Sequence, residues 1–205
     1  MSEESPRAFY TERIPAQFNR ALTAQEAAGD DGARVLADMK AVNATLCAEV
    51  QCDDGGPFFL NIENGTMHAA DTAAHPPFLT LRQDRAAFER LAAEAGDSAM
   101  AMLGGLSGLA GEMKLTASRI KNLEAVNGLL SFEVTGDEGF RLLTHFGTEP
   151  FPDEPACSIV VSPDAYAELR SGTLDPQSAF LNGKIEVSGE MQLAMQLALA
   201  ALSPD

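Results

Sequence analysis

Asp175-Pro176-Gln177-Ser178-Ala179-Phe180-Leu181-Asn182-Gly183-Lys184-Ile185-Glu186-Val187-Ser188-Gly189-Glu190-Met191-Gln192-Leu193 decides how the chain folds. Aspartate followed by proline opens a short helix, because the carboxylate caps free amide donors and proline fits the first helical position. Lys184 to Ser188 then alternates polar and apolar residues, the period of a strand. Gly189 ends that strand, and the apolar run Met191 to Leu202 reads as a closing helix. Helix, strand and helix thus follow one another within thirty residues.

The same stretch has an earlier counterpart. Asp97 to Leu115 aligns with Asp175 to Leu193 without a gap, at an offset of 78, and shares Gly111-Glu112-Met113 with Gly189-Glu190-Met191. Upstream, Ala41 to Val50 aligns with Ala125 to Val134 at an offset of 84, with six of ten residues identical. Two blocks in one order make an internal repeat. The smaller second offset gives the first copy about six extra residues, which fall in its hairpin region, where a loop absorbs them. The repeat divides the chain into an N-terminal tail and helix over 1–30, a first unit over 31–123 and a second over 124–205.

Working outward, residues 1–11 read as a frayed tail. A helix follows over 12–28, with Ile14, Phe18 and Leu22 on one stripe, and another over 33–41. Leu46 to Val50 alternates as a half-buried strand. Phe58 to Ile62 is the next strand, and Asn64-Gly65 supplies the positive φ angles of a tight hairpin turn into Thr66–Ala70. Phe78–Arg82 is a fourth strand, before a helix over 84–95. The second unit repeats the order, with strands at 128–135, 140–146 and 158–162 and a helix over 163–171. The helix ending near Ala125 serves both units.

The run from Gly172 to Met195 resembles the closing signature of the sterol carrier protein type 2 family, the non-specific lipid-transfer proteins. The likeness extends over about 113–205 and is weaker over 31–125, where Leu106-Ser107-Gly108-Leu109-Ala110 replaces the alternating strand. The resemblance implies an α+β fold, a mixed sheet of about five strands covered by helices, here in two related copies. It also implies an apolar tunnel for a sterol, fatty acid or acyl-CoA, with no chemistry performed there.

Such a site needs apolar walls and few polar anchors. The candidate walls are Phe132, Phe180, Leu181, Ile185, Val187, Met191, Met195 and Leu199. Phe132, Ile185 and Val187 are expected on the inner faces of their strands, and Met191, Met195 and Leu199 on one inward helical stripe. In the first unit Leu46, Phe58, Leu60, Ile62, Met100, Met102 and Met113 occupy matching places, as packing for the working copy. A filled core is the competing reading for every one of these residues.

Composition excludes other classes. Fourteen Lys and Arg against 30 Asp and Glu leave a net charge of −16, unsuited to phosphate backbones or anionic lipid. Residues 124–205 hold 13 of the acids and only three of the cations. No apolar run reaches the roughly 18 residues of a spanning helix. The first residues have no secretory pattern, and Cys47, Cys52 and Cys157 lack metal-ligand spacing, so they read as reduced thiols in a cytoplasmic protein. His68, Asp71 and His75 fit no compact ligand pattern, and His145 reads as a structural histidine. No nucleophile elbow, phosphate loop or dinucleotide fingerprint is present. The expectation is a non-enzymatic carrier without metal or cofactor, whose partner is a hydrophobic small molecule rather than nucleic acid or a membrane. The alternative is an interaction protein with a filled core, forming a homodimer through its C-terminal helix.

Overall fold

The computed structural model describes residues 4–27, 33–94 and 115–202. Helix α1 starts at Pro6–Ala8, passes through a π-helical turn at Phe9–Arg13 and continues over Ile14–Ala27. The expected tail over 1–11 is overturned from Pro6 onward, since Phe9 and Tyr10 have no exposed surface. Ser5-Pro6 is itself a helix start: the Ser5 hydroxyl accepts from the Ala8 amide at 3.2 Å, and proline sits in the first turn. The π turn widens the helix so that Phe9, Tyr10 and Ile14 are all buried.

The chain then forms α2 (Ala33–Lys40), β1 (Ala44–Gln51), β2 (Gly56–Glu63), β3 (Thr66–Ala70), β4 (Pro77–Asp84) and α3 (Arg85–Glu94). After the undescribed stretch come α4 (Ala117–Glu124), β5 (Gly128–Val134), β6 (Phe140–Phe146), β7 (Cys157–Val161) and α5 (Pro163–Arg170). Helix α6 (Pro176–Leu181), β8 (Ile185–Gly189) and α7 (Met191–Leu202) complete it. Asn64 and Gly65 take φ angles of 50° and 78°, the hairpin turn expected between β2 and β3. A Cβ at residue 65 would lie 2.7 Å from the Met39 carbonyl oxygen, so the turn needs glycine for space as well. The first unit's glycine-rich stretch, with Met100, Met102 and Met113, lies outside the described residues.

The fold is α+β, with one mixed sheet of eight strands in the order β3-β2-β1-β4-β6-β5-β7-β8. Eight rather than about five follows from the way two units share one sheet. In each unit an antiparallel hairpin (β1/β2, β5/β6) is followed by a strand that returns parallel to the hairpin's first member (β4 beside β1, β7 beside β5). At the seam β4 pairs antiparallel with β6, with Leu79 opposite Phe146 and Leu81 opposite Thr144. β4 therefore borders β6 as β3 borders β2, and β6 borders β4 as β8 borders β7. Each unit lends the other an edge strand, and two exposed edges disappear.

The expected half-burial of β1 is corrected too, because Ala44 to Ala48 are buried without interruption. Helices cover one face. The loop over 71–76 crosses the other, pinned by a buried polar pair. Asn61 donates to the Thr72 carbonyl at 3.0 Å and accepts from the Ala74 amide at 3.0 Å, while the Thr45 hydroxyl accepts from the His75 amide at 3.1 Å. The loop over 147–156 covers the second unit similarly: Phe151 lies 3.7 Å under the Arg82 guanidinium and 5.6 Å from the His145 ring. Arg82 also donates to Glu49 at 2.9 Å.

Candidate apolar ligand site

Strand register builds the floor of the site. Phe132 on β5 stands opposite Ile159 on β7, which stands opposite Val187 on β8. Val134, Val161 and Ile185 form the next row. Side chains at alternate positions share a face, so six apolar residues line one side of the three outer strands. Burial falls off toward the sheet edge: Phe132 and Val161 are buried, Ile185 and Val187 only half so.

The roof comes from four helices. Ile120 and Leu123 of α4, Tyr166 and Leu169 of α5, Ala179 of α6, and Leu193 and Leu197 of α7 are buried in the common core. Local sequence sets these helices in place. Ser162 and Asp175 cap α5 and α6, each accepting from an amide three residues on, at 3.2 and 2.8 Å, and a proline follows each cap. Gly128 makes room for α7: a Cβ there would come within 2.9 Å of the Leu193 methyls.

The roof stops short over β8. Phe180 is 44% exposed and Leu181 73%, just before the strand, and Met191 is 42% exposed just after it. Met195, one turn along α7, is 61% exposed. The structure therefore corrects the expected inward stripe of α7. Leu193 and Leu197 face the core, and Met191 and Met195 face out. Phe180 and Leu181 are corrected likewise: Ala179 is the buried residue of α6, and its two neighbours flank the strand. The side chain of Leu199 lies outside the described residues. Phe132 is inward as expected, but it packs against Phe140 at 6.3 Å and Tyr166 at 6.0 Å between ring centroids. Exposed Phe180, Leu181, Met191 and Met195 thus precede and follow half-buried β8 in the chain, and Phe132 belongs to a packed aromatic base.

The first unit is closed at the matching place. Its counterpart of Phe132, at the offset of 84, is Ala48, which stands opposite Phe58. Tyr10 of α1 stacks on Phe58, with centroids 5.5 Å apart and planes at 19°. Phe9 meets the Tyr10 ring edge-on at 4.9 Å and the Phe88 ring at 5.5 Å. Burial pushes the Tyr10 phenol above its ordinary pKa, so it stays protonated, and it accepts a hydrogen bond from Gln83. Leu46, Phe58, Leu60 and Ile62 are thus core beneath the chain's own N-terminal helix. Tyr10 and Phe9 are the residues that periodicity overlooked; the Ser5-Pro6 cap was the available signal.

Cys157 lies on the same strand face as Ile159 and Val161, buried in the core beneath α7. Burial, with Glu49 adding to it, pushes the Cys47 thiol up to about 11, and burial raises Cys157. Burial holds His145 below its ordinary pKa, so it is a neutral packed ring. Among the described residues no group of three potential metal ligands comes together, and no helix is long and apolar enough to cross a membrane.

Residues 112–201 match the model of the SCP-2 sterol transfer family. Sterol carrier protein 2 of Rattus norvegicus is 30% identical over 103 residues, which is 46% of this chain and 19% of that protein. Sterol carrier protein 2 of Homo sapiens is 29% identical over 102 residues, again 19% of its length. The chain thus matches about a fifth of the length of these curated relatives. Among solved structures, the sterol carrier protein domain 2 of Helicoverpa armigera is 29% identical with a TM-score of 0.30, covering 41% of this chain and 76% of that one. Palmitated SCP2L2 of Aedes aegypti is 20% identical with a TM-score of 0.30, covering 41% and 91%.

Proposed function

We propose that the protein is a non-enzymatic carrier of a hydrophobic small molecule, a reading supported by the match of residues 112–201 to the SCP-2 sterol transfer family model. The ligand lies along β8, between the end of α6 and the outer stripe of α7. The observation that carries this reading is the half-covered pair Ile185 and Val187, flanked by exposed Phe180, Leu181, Met191 and Met195. Apolar contact contributes roughly 25 cal/mol per Å² removed from water, so a long chain or ring system binds there without a charged anchor. Methionine suits the task, since its flexible thioether adapts to irregular ligands. Three cysteines without disulfides are in keeping with a cytoplasmic carrier.

The test is a direct titration. A pyrene-labelled fatty ester is expected to gain fluorescence on binding, and Met195→Asp should weaken that binding about tenfold, the loss expected for roughly 50 Å² of apolar contact. An unchanged affinity in the folded variant removes Met195 from the site. The exposed methionine stripe also favours a homodimer through α7. In that case the same substitution would halve the sedimenting mass and leave no probe binding to lose.

A further inference from the structure

We infer that the free edge of β8 pairs with β8 of a second molecule of this chain, antiparallel about Val187, so that two eight-stranded sheets become one. The inference is independent of the carrier reading, because it uses the backbone edge of the strand and a ligand would use its helix-side face. The two ends of the sheet differ. At β3 the Asn19 side chain of α1 bonds both backbone groups of Met67, donating to its carbonyl and accepting from its amide at 2.9 Å each. β8 has β7 on one side and, among the described residues, no strand on the other. The ladder fixes which of its groups are free. The Thr135 amide donates to the Val161 carbonyl at 3.0 Å, which turns the backbone groups of Val161 and Ile159 toward β5 and those of Ser158 and Val160 toward β8. Ser158 and Val160 stand opposite Ser188 and Glu186. Ile185 and Val187 therefore direct their amides and carbonyls out of the sheet, where a further strand would take them.

What flanks this edge fits a second molecule of the same chain. Among the described residues the exposed large hydrophobics are Phe180, Leu181, Met191 and Met195. Two precede β8 in the chain and two follow it. A two-fold axis through Val187 brings the entry end of one strand to the exit end of the other, so the Phe180-Leu181 end of each molecule meets the Met191-Met195 end of the other. The register that pairs all of Ile185–Gly189 with itself sets Val187 opposite Val187, Ile185 opposite Gly189 and Glu186 opposite Ser188. One residue beyond, exposed Lys184 comes opposite Glu190, once at each end. Lys184 is held at the surface by Glu168, and Glu190 still follows the ladder, its amide donating to the Ala156 carbonyl at 2.8 Å. No like charges stand opposite one another in this register, and opposite charges meet twice. A foreign strand would need none of these correspondences. One five-residue strand from each molecule makes a small interface, of the weak class below about 1,200 Å². The chain is therefore single when dilute and pairs at roughly tens of micromolar.

Sedimentation velocity of the full chain reads the pairing: the mass should rise from one chain toward two across roughly 1–200 µM. Val187→Pro removes the central outward amide and spares the bonds to β7, as proline can on an edge strand, and should keep the chain single throughout. Lys184→Glu should weaken pairing about tenfold, and adding Glu190→Lys should restore it. Mild oxidation of Val187→Cys should link two chains, because a residue opposite itself at about 5.5 Å between Cα atoms lies within disulfide range. The native chain should give no such link. If Val187→Pro does not fold, the charge exchange and the crosslink decide alone. A chain that stays single at every concentration overturns the inference. So does a dimer that survives Val187→Pro, and its loss in Met195→Asp would place the contact on α7 instead.

Discussion

Tyr10→Ala is expected to lower the unfolding free energy by about 4 kcal/mol, the range for removing a large aromatic side chain from a core. For a chain of this size that is a fall in melting temperature of roughly 10 °C. The residue lies wholly buried among Phe9, Phe58 and Phe88, and its hydroxyl is the partner of buried Gln83. Removing the ring opens a cavity between Phe58 and Phe88. It also leaves both polar ends of the Gln83 amide without a described partner. Tyr10→Phe separates the two effects: it keeps the ring and should cost about 1–2 kcal/mol, the penalty for an orphaned buried donor. Urea unfolding followed by circular dichroism reads both, since the chain has no tryptophan to report by fluorescence. A loss under about 1 kcal/mol for Tyr10→Ala would mean that α1 is not part of the cooperative core.

Leu193→Asp is expected to be equally damaging, and to abolish probe binding as well. Its methyls sit on Gly128, and the side chain is buried between α7 and the sheet. A carboxylate there is buried in the apolar core, so α7 must lift to hydrate it, at a cost of several kcal/mol. Met195→Asp makes a comparable change two residues away at an exposed site, and its stability cost should stay within about 0.5 kcal/mol. The ranking by thermal melting is the test. If Met195→Asp destabilised more than Leu193→Asp, the methionine stripe would be the inward one.

Much of the fold was legible because local signals agreed. Asn64-Gly65, Ser162-Pro163 and Asp175-Pro176 each specify one backbone geometry, and the elements they bound stand where the pattern puts them. The repeat says nothing of one continuous eight-stranded sheet, because strand pairing between distant segments leaves no periodic trace. β4 and β6 read alike whether they meet each other or solvent. The orientation of α7 was illegible for a different reason. α7 carries only Gln192 and Gln196 as polar residues, so its inward stripe is weakly marked, and Met191 and Met195 compete with Leu193 and Leu197 until Gly128 supplies a groove for one pair. The closure of the first unit was hidden in two adjacent aromatics, Phe9 and Tyr10, in a segment whose polar neighbours resemble a tail. The candidate residues on β5 and β8 were legible as inner-face positions. Their unequal burial was not, because it depends on how far the helices of the roof reach.

Native mass spectrometry of the freshly purified chain tests most directly whether a single ligand lies in the second unit while α1 seals the first. The spectrum should show the monomer carrying one small hydrophobic molecule, or taking up one pyrene ester when stripped. A second equivalent bound would contradict the sealing of the first unit by Tyr10. A bare chain that takes up none would contradict the carrier.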